Sequence, residues 1–497
     1  MITVNWRTQN RLDGGKLISL GAGSSERLKL HLITPNMTWT RKMRLTQIEI
    51  TNLFGIFDHV IPLSHDGNVT IIHGANGVGK TMLLKMVASL IGGRVTIFEK
   101  VPFRQFKATR EDGKTIIITK QISQKSNHDR VNSKIEISMV DSKGEPLECD
   151  NISSQEISSE FLDSIDHLVP APYHRKLGGW TKGGGRKIFS VNEIIEFFPY
   201  ISKHLPDSFN VNVFSAFTTN MEIFFVETKR LYAEREQSDH NPFNTFDDDD
   251  QPKGDDLRVH QYSADIVTRI KTALADYAKH SQERDRTFPA RLVKFVRDEE
   301  SSLSEKSILA SMSEIELKRQ RLVALGFLDS ETELRDISEE DVRRSAAALT
   351  IYVDDIKQKL NVFDVLSDRV GRLMDIVNAR FKYKRLTLNR TEGFRFKALN
   401  GAPIDISDLS SGEQHELVLL YELLFRVPKN GLVLVDEPEI SLHVAWQASF
   451  LEDLMGILKL TESYGIVATH SPVLIGNHWG LTKELFGPSV EEVMGQK

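Results

Sequence analysis

The chain has 497 residues, 40% of them hydrophobic, which is too long for one compact core and suggests about two or three folding units. Its net charge of −6 supplies no global positive field to hold nucleic acid through phosphates, so any DNA contact has to be local or come from a partner. A single cysteine, Cys149, excludes a disulfide framework, a protein-only cysteine metal cluster and a cysteine zinc hook, and suits a reducing cytosol.

Residues 1–42 are polar, carry turn pairs such as Gly14-Gly15 and keep no period of two or 3.6. They read as a poorly ordered extension, or as sequence ahead of a true start at Met43. The N-terminus has no apolar signal core, and no run approaches the roughly twenty apolar residues that span a bilayer. A cytoplasmic protein without a membrane partner is therefore expected.

From Met43 the pattern predicts a strand over Arg44–Ile50, a bend, a second strand, and the apolar run Val69–Ile72 entering a glycine loop. A helix is expected from Thr81 to about Ile91, followed by short strands at Phe106–Lys107, Thr115–Thr119 and Lys134–Met139. His174–Lys187 is basic and glycine-rich, and Phe246–Asp256 is an acidic tract holding Pro252 and Gly254, so both read as loops. Between 257 and 381 apolar residues recur at helical spacing, as in Ile266, Ile270, Ala273, Leu274 and Tyr277. That stretch is an inserted helical arm, expected to break at Phe288-Pro289, at Gly326 and over Asp329–Asp336. A strand pair follows, Arg385–Leu388 and Phe394–Leu399, and then helix alternates with strand. The division expected is an N-terminal lobe at 43–245, an acidic linker at 246–256, the arm at 257–381 and a C-terminal lobe at 382–497.

Gly74-Ala75-Asn76-Gly77-Val78-Gly79-Lys80-Thr81 fits G-x-x-x-x-G-K-[ST] between a strand and a helix, the context of a P-loop. Gly74, Gly77 and Gly79 let the backbone curl so that its N–H groups, Asn76 in the loop among them, point at phosphate oxygens. The helix start adds its positive end. Lys80 is placed to reach the β- and γ-phosphates of ATP, and Thr81 to put its hydroxyl on Mg²⁺.

The apolar strand Leu432–Val435 ends in Asp436 and Glu437. Laid beside the P-loop strand, it would project both acids into the phosphate crevice, Asp436 to the Mg²⁺ shell and Glu437 as general base for water. An acidic pair alone is more often a solvated turn. Leu409-Ser410-Ser411-Gly412-Glu413-Gln414 opens a helix expected over Gln414–Phe425, and by local chemistry is an ordinary N-cap. His470, in Thr469-His470-Ser471-Pro472 after the strand Gly465–Ala468, is by itself as readily structural.

The order of these elements resembles that of ABC-type ATPase heads of the SMC branch. The resemblance implies an α/β fold, with a central mixed or parallel sheet, a flanking antiparallel subsheet and an inserted arm. It implies that Ser410, Ser411, Gly412 and Glu413 form the signature that meets the γ-phosphate on the partner copy's P-loop. It makes Ser441 the D-loop serine, and His470 a switch histidine that acts with Glu437 and Lys80 in ATP hydrolysis. A Q-loop glutamine is not identifiable from context, Gln105 and Gln121 being the candidates. Asp436–His443 and the Ala468–Pro472 segment are similar to the prokaryotic AAA-domain groups of SMC-like ATPases. These include the overcoming-lysogenization-defect type and the ATPase subunits of the PARIS and Septu antiphage systems, the PARIS subunit being most similar in length and insertion. Too little chain follows His470 for a TOPRIM domain, so the resemblance implies a homo-oligomeric sensor and switch with a separate nuclease effector, possibly TOPRIM-containing, and a phage-encoded trigger. The alternative is a DNA-maintenance ATPase that binds DNA directly, drawing on Arg175, Lys176, Lys182, Arg186 and Lys187. A transporter engine fits less well, because such heads carry short inserts and a clear Q-loop.

Overall fold

A computed structural model describes residues 43–64, 68–123, 132–153, 166–176, 179–183, 188–189, 193–194, 198, 212–226, 254–298, 301–329, 338–440 and 442–487. The expected extension at 1–42, residues 246–253 of the acidic tract and Ser441 lie outside them. Strands β3 (Val69–His73), β14 (Leu432–Asp436) and β15 (Tyr464–Thr469) are almost continuously apolar and are buried on both faces, as parallel strands are. With β10 (Ile223–Val226) and β16 (Thr482–Glu484) they form a sheet ordered β10-β14-β15-β3-β16, parallel at every pairing. Alternate residues serve two cores. Ile71, Val433, Val435 and Val467 face the helical arm and C-terminal helices, while Ile72, Leu432, Leu434 and Ile466 face α1 (Lys80–Ile91) and a second sheet.

This order corrects one expectation. The strand ending in Asp436 does not lie beside the P-loop strand, because β15 is hydrogen-bonded between them. Apolar runs announce that strands are buried, but not which neighbours they choose.

The second sheet is antiparallel, ordered β2-β1-β4-β5-β6-β7. It contains β1 (Leu45–Leu53), β2 (Phe57–Pro62), β4 (Gln105–Arg110), β5 (Thr115–Ser123), β6 (Asn132–Val140) and β7 (Pro146–Ser153). Ile48, Ile50, Phe106, Ala108, Ile116, Ile118 and Ile137 are sealed from solvent, and with α2 (Thr96–Lys100) and α3 (Asn212–Thr218) they cover α1.

The basic segment expected to be a loop is in part a hairpin, β8 (Tyr173–Lys176) against β9 (Gly179–Lys182). Its aromatic residues explain the order: Trp180 is buried, its Nε1 donates to Asp166 at 2.6 Å, and the Arg175 guanidinium lies 5.4 Å from the indole centroid. Residues 177–178 and 184–187 of that segment are outside the described ones.

The arm comprises α4 (Gly254–Arg297), α5 (Glu305–Ala324), α6 (Glu339–Arg344), α7 (Ala346–Asn361) and α8 (Asp364–Arg380). Two expectations fail here. The end of the acidic tract is already helical from Gly254, and Pro289 sits inside α4 instead of ending it. A proline forfeits one helical hydrogen bond and crowds the preceding turn. Ties on both sides of it hold the helix: Arg284 and Arg291 donate to Asp355 on α7 at 2.9 and 2.6 Å, and Lys359 donates to Asp285 at 2.7 Å.

A small antiparallel sheet, β11 (Lys384–Asn389), β12 (Gly393–Ala398) and β13 (Pro403–Ile404), leads to α9 (Ser411–Tyr421). Helix α9 starts three residues earlier than expected and widens into a π-turn over Glu422–Arg426. α10 (Val444–Leu460) and the short α11 (Pro472–Ile475) complete the C-terminal half. Both ends of the arm meet α9. Tyr262 of α4 stacks on Tyr421 at 4.5 Å, the Tyr421 hydroxyl donates to Asp265 at 2.6 Å, and Arg380 of α8 is buried against Glu416 of α9 and Asp453 of α10.

Asp355 is the anion that braces the Pro289 region. Burial alone would raise its pKa, but the hydrogen bonds from Arg291 and Arg284 outweigh burial and hold it below the usual carboxylate range. Its contribution is present above the unfolded pKa of about 4 and is lost as the pH falls through the lower folded value. Asp355→Ala is expected to cost about 2 kcal/mol, discounted for the partly exposed arginines, in urea unfolding at pH 7. An unchanged midpoint would show that α4 tolerates Pro289 without this brace.

Candidate nucleotide site

The glycine loop leaves the carboxyl end of β3 and turns into α1. Gly79 is the N-cap of α1 with φ +96°, a left-handed backbone that favours glycine, and a Cβ there would also crowd Leu53 Cδ2 at 2.5 Å. Gly77, at φ +88°, supplies a second left-handed step. Successive N–H groups in such a curl form an anion-receptive concavity. Lys80 is 4% exposed and folds back over the loop, donating to the carbonyls of Gly74 and Ala75 at 2.9 and 3.1 Å. Among the described residues no carboxylate pairs with it. A buried ammonium satisfied only by carbonyl dipoles favours an incoming anion, and the exposed Asn76 leaves the loop open on that side.

Thr81 donates its hydroxyl to Asp436 Oδ1 at 3.1 Å, and Asp436 is buried at the end of β14. A hydroxyl and a carboxylate held together in this way fit Mg²⁺, which takes hard oxygen ligands and few of them from the protein. Glu437 follows with φ +43°, a conformation costly for a side chain with a Cβ, and its N–H donates to the Ala468 carbonyl of β15 at 2.8 Å. That bond carries the Glu437 carboxylate to within 3.7 Å of His470 Nδ1. Lys80, Thr81, Asp436, Glu437 and His470, read separately in the sequence, thus converge at the carboxyl ends of three neighbouring strands.

Two residues were not anticipated. Glu439 is buried, and its Oε1 accepts from the Thr469 hydroxyl at 2.6 Å and the His470 N–H at 2.9 Å. His59, buried on β2, lies with Nε2 2.9 Å from the Val78 carbonyl behind the loop. In sequence, Glu439 looks like a turn residue and His59 like a strand residue, and only the fold brings each to the site.

Ser410 and Glu413 form a capping box on α9. Glu413 Oε2 accepts from the Ser410 N–H and hydroxyl, each at 2.8 Å, and from Lys384 Nζ at 2.7 Å. Burial would raise the Glu413 carboxyl, but Lys384 and Ser410 outweigh it and hold it low. Ser410 and Ser411 are exposed, and a Cβ on Gly412 would meet nothing within 4 Å. No hydrogen bond or ion pair of Ser410 or Glu413 reaches the P-loop, Asp436 or His470. Gln105 donates to Thr119 at 3.5 Å, and Gln121 is exposed on β5.

Apolar side chains stand in solvent around the site. Ile440, Val444 and Val473 are 58%, 69% and 51% exposed, each within four residues of Glu437, His443 or His470. Trp479, half-exposed, packs edge-on against His73 at 5.5 Å, and Phe486 and Phe54 are exposed beside the loop.

A phosphate cradle closed by a buried lysine, with a Thr–Asp pair and a Glu–His pair at parallel strand ends, defines a P-loop nucleotide hydrolase. The AAA ATPase domain family matches residues 43–475; the chain belongs to that family and is an ATPase. Protein ea59 of Escherichia phage lambda is 39% identical over 115 residues, so the match spans 22% of this chain and 22% of that protein. The Smc head domain with an extended coiled coil from Pyrococcus furiosus, bound to the C-terminal domain of ScpA, is 15% identical, with 91% of this chain and 98% of that chain covered and a TM-score of 0.29. The SMC head domain from Thermotoga maritima is 10% identical, with 90% and 100% covered and a TM-score of 0.28. Among the described residues no helix is long and apolar enough to cross a membrane, and no cluster of three or more His, Cys, Asp or Glu could hold a metal alone.

Gly79→Ala strains the left-handed backbone of the loop and crowds Leu53 at the loop side of one core. It is expected to weaken a fluorescent ATP analogue by at least about tenfold in titration, with unchanged circular dichroism. Wild-type affinity would show that the loop relaxes around a Cβ.

Proposed function

We propose that this ATPase is an SMC-like head of the ABC type whose nucleotide sites are completed by a second copy. In this reading it is the cytoplasmic sensor and switch of an antiphage defence system that controls a separate nuclease. The observation that carries the reading is the separation of two half-sites. The P-loop, Asp436, Glu437 and His470 are tied together, while the exposed Ser410 and Ser411 and the half-buried Gly412 are bonded to none of them. The exposed Ile440, Val444 and Val473 rim supplies apolar area for a second copy to bury.

ATP would lie with its phosphates against the loop N–H groups and Lys80. Thr81 and Asp436 would hold Mg²⁺, which when bound neutralises charge on the β- and γ-phosphates. Glu437 accepts a proton from the attacking water, and His470 spans that water and the γ-phosphate. The second copy brings the N-terminus of α9, with Ser410, Ser411 and Gly412, to the γ-phosphate, while Glu413 stays capped by Lys384. Ser441 belongs to the same interface in this reading. Hydrolysis removes the bridging phosphate and frees the two copies, and the arm, packed on α9 through Tyr421 and Arg380, carries the difference outward to a nuclease partner of the TOPRIM-containing kind. A phage-encoded trigger would act on this cycle.

A DNA-maintenance role remains the second reading, supported by the exposed His174 and Lys176 on β8. It requires DNA binding that weakens steeply with salt.

Two measurements test the proposal. Lys80→Ala and Ser411→Arg are each expected to abolish turnover, and mixing the two is expected to restore part of it, because a mixed pair holds one intact site. No recovery from pairs shown to mix would contradict shared sites. In a strain protected by this protein, Lys80→Ala is expected to restore phage plaquing; undiminished protection would remove the ATP-driven switch.

A further inference from the structure

Glu439 is a carboxylate that the hydrolysis scheme does not use. It sits in the turn Pro438–Ile440, between the general base and α10, and its side chain is only 6% exposed. Its Oε1 takes the Thr469 hydroxyl at 2.6 Å and the His470 N–H at 2.9 Å, and lies 3.1 Å from His470 Nδ1. Its Oε2 is buried without a hydrogen-bond partner among the described residues, and there the His470 imidazole is the one basic side chain within 4 Å of the carboxylate. Burying a carboxylate oxygen without a donor is costly, and a donor placed beside that carboxylate offsets part of the cost.

We propose that Glu439 is a positioning residue for hydrolysis, whose buried carboxylate holds the Nδ1 edge of His470 and presents Nε2 to the γ-phosphate and the attacking water. The inference rests on the reading of His470 as the switch histidine. An imidazole whose Nδ1–H is engaged by a carboxylate is fixed in tautomer and ring orientation, and its Nε2 becomes the free acceptor. The same ring edge lies 3.7 Å from Glu437. Because Glu439 is closer, at 3.1 Å, it occupies that edge and leaves the Glu437 carboxylate to the water. The bonds from the Thr469 hydroxyl and the His470 N–H anchor the switch loop, and the ring, 46% exposed, stays open to the nucleotide.

The test is a double-mutant cycle on the full chain, with steady-state ATPase turnover and ATP affinity measured for Glu439→Gln, His470→Ala and the pair. A glutamine retains an oxygen for Thr469 and the His470 N–H but removes the charge. Glu439→Gln is expected to lower kcat by about ten- to a hundredfold with KM within about twofold, and to add no further loss to His470→Ala. Wild-type kcat in Glu439→Gln, a loss confined to KM, or losses that multiply in the double variant would each overturn the proposal. Wild-type turnover in His470→Ala would instead remove the switch role of His470, and the positioning role with it. Should Glu439→Gln fold poorly, Glu439→Asp, with its shorter reach, replaces it in the cycle with the same non-additivity expected.

Discussion

Everything at the site depends on the parallel pairing of β15 with β14 on one side and β3 on the other. That pairing brings Thr81 to Asp436 across 355 residues of chain at 3.1 Å. It also sets the Ala468 carbonyl where it can accept the Glu437 N–H, and that bond turns the Glu437 carboxylate toward His470. A shift of one residue in either ladder would exchange the two faces of a strand buried on both sides, moving Val433 and Val435 out of one core and Leu432 and Leu434 out of the other. The register that protects both cores is therefore also the register that aligns the chemistry.

The same logic governs what could be read from sequence. The P-loop and the acidic strand end were legible because their chemistry is local: glycine for left-handed backbone, and an apolar run that stops at charge. The order of strands was not legible, since Val433 and Ile466 look alike as sequence and sheet neighbours are chosen by crossovers. Pro289 misled because its local cost is real, but ties to Asp355 from residues on either side offset it. The hairpin at Tyr173–Lys182 was hidden by its own composition, in which basic and glycine residues outnumber the rings that order it. Glu439 could not be singled out, because nothing in Pro-Glu-Ile distinguishes a buried acceptor from a solvated turn.

The arm is joined to α9 by mixed chemistry. An aromatic stack between Tyr262 and Tyr421 meets it from one end, and the buried Arg380 between Glu416 and Asp453 from the other. Such buried ionic groups add little net stability but strongly disfavour being separated. They hold the arm packed on α9, and α10, which follows Asp436 and Glu437, shares the same arginine. In the proposed cycle this is the route by which occupancy of the phosphate site reaches the arm.

The central claim is that two copies share each nucleotide, and the most direct measurement is light scattering of wild type and Glu437→Gln with ATP and Mg²⁺. Blocking proton removal from water while leaving the binding groups intact should trap the associated state, so a nucleotide-dependent doubling of mass that persists in Glu437→Gln and decays in wild type is predicted. A Glu437→Gln protein that binds ATP and keeps the mass of a single chain at every concentration would contradict the shared site.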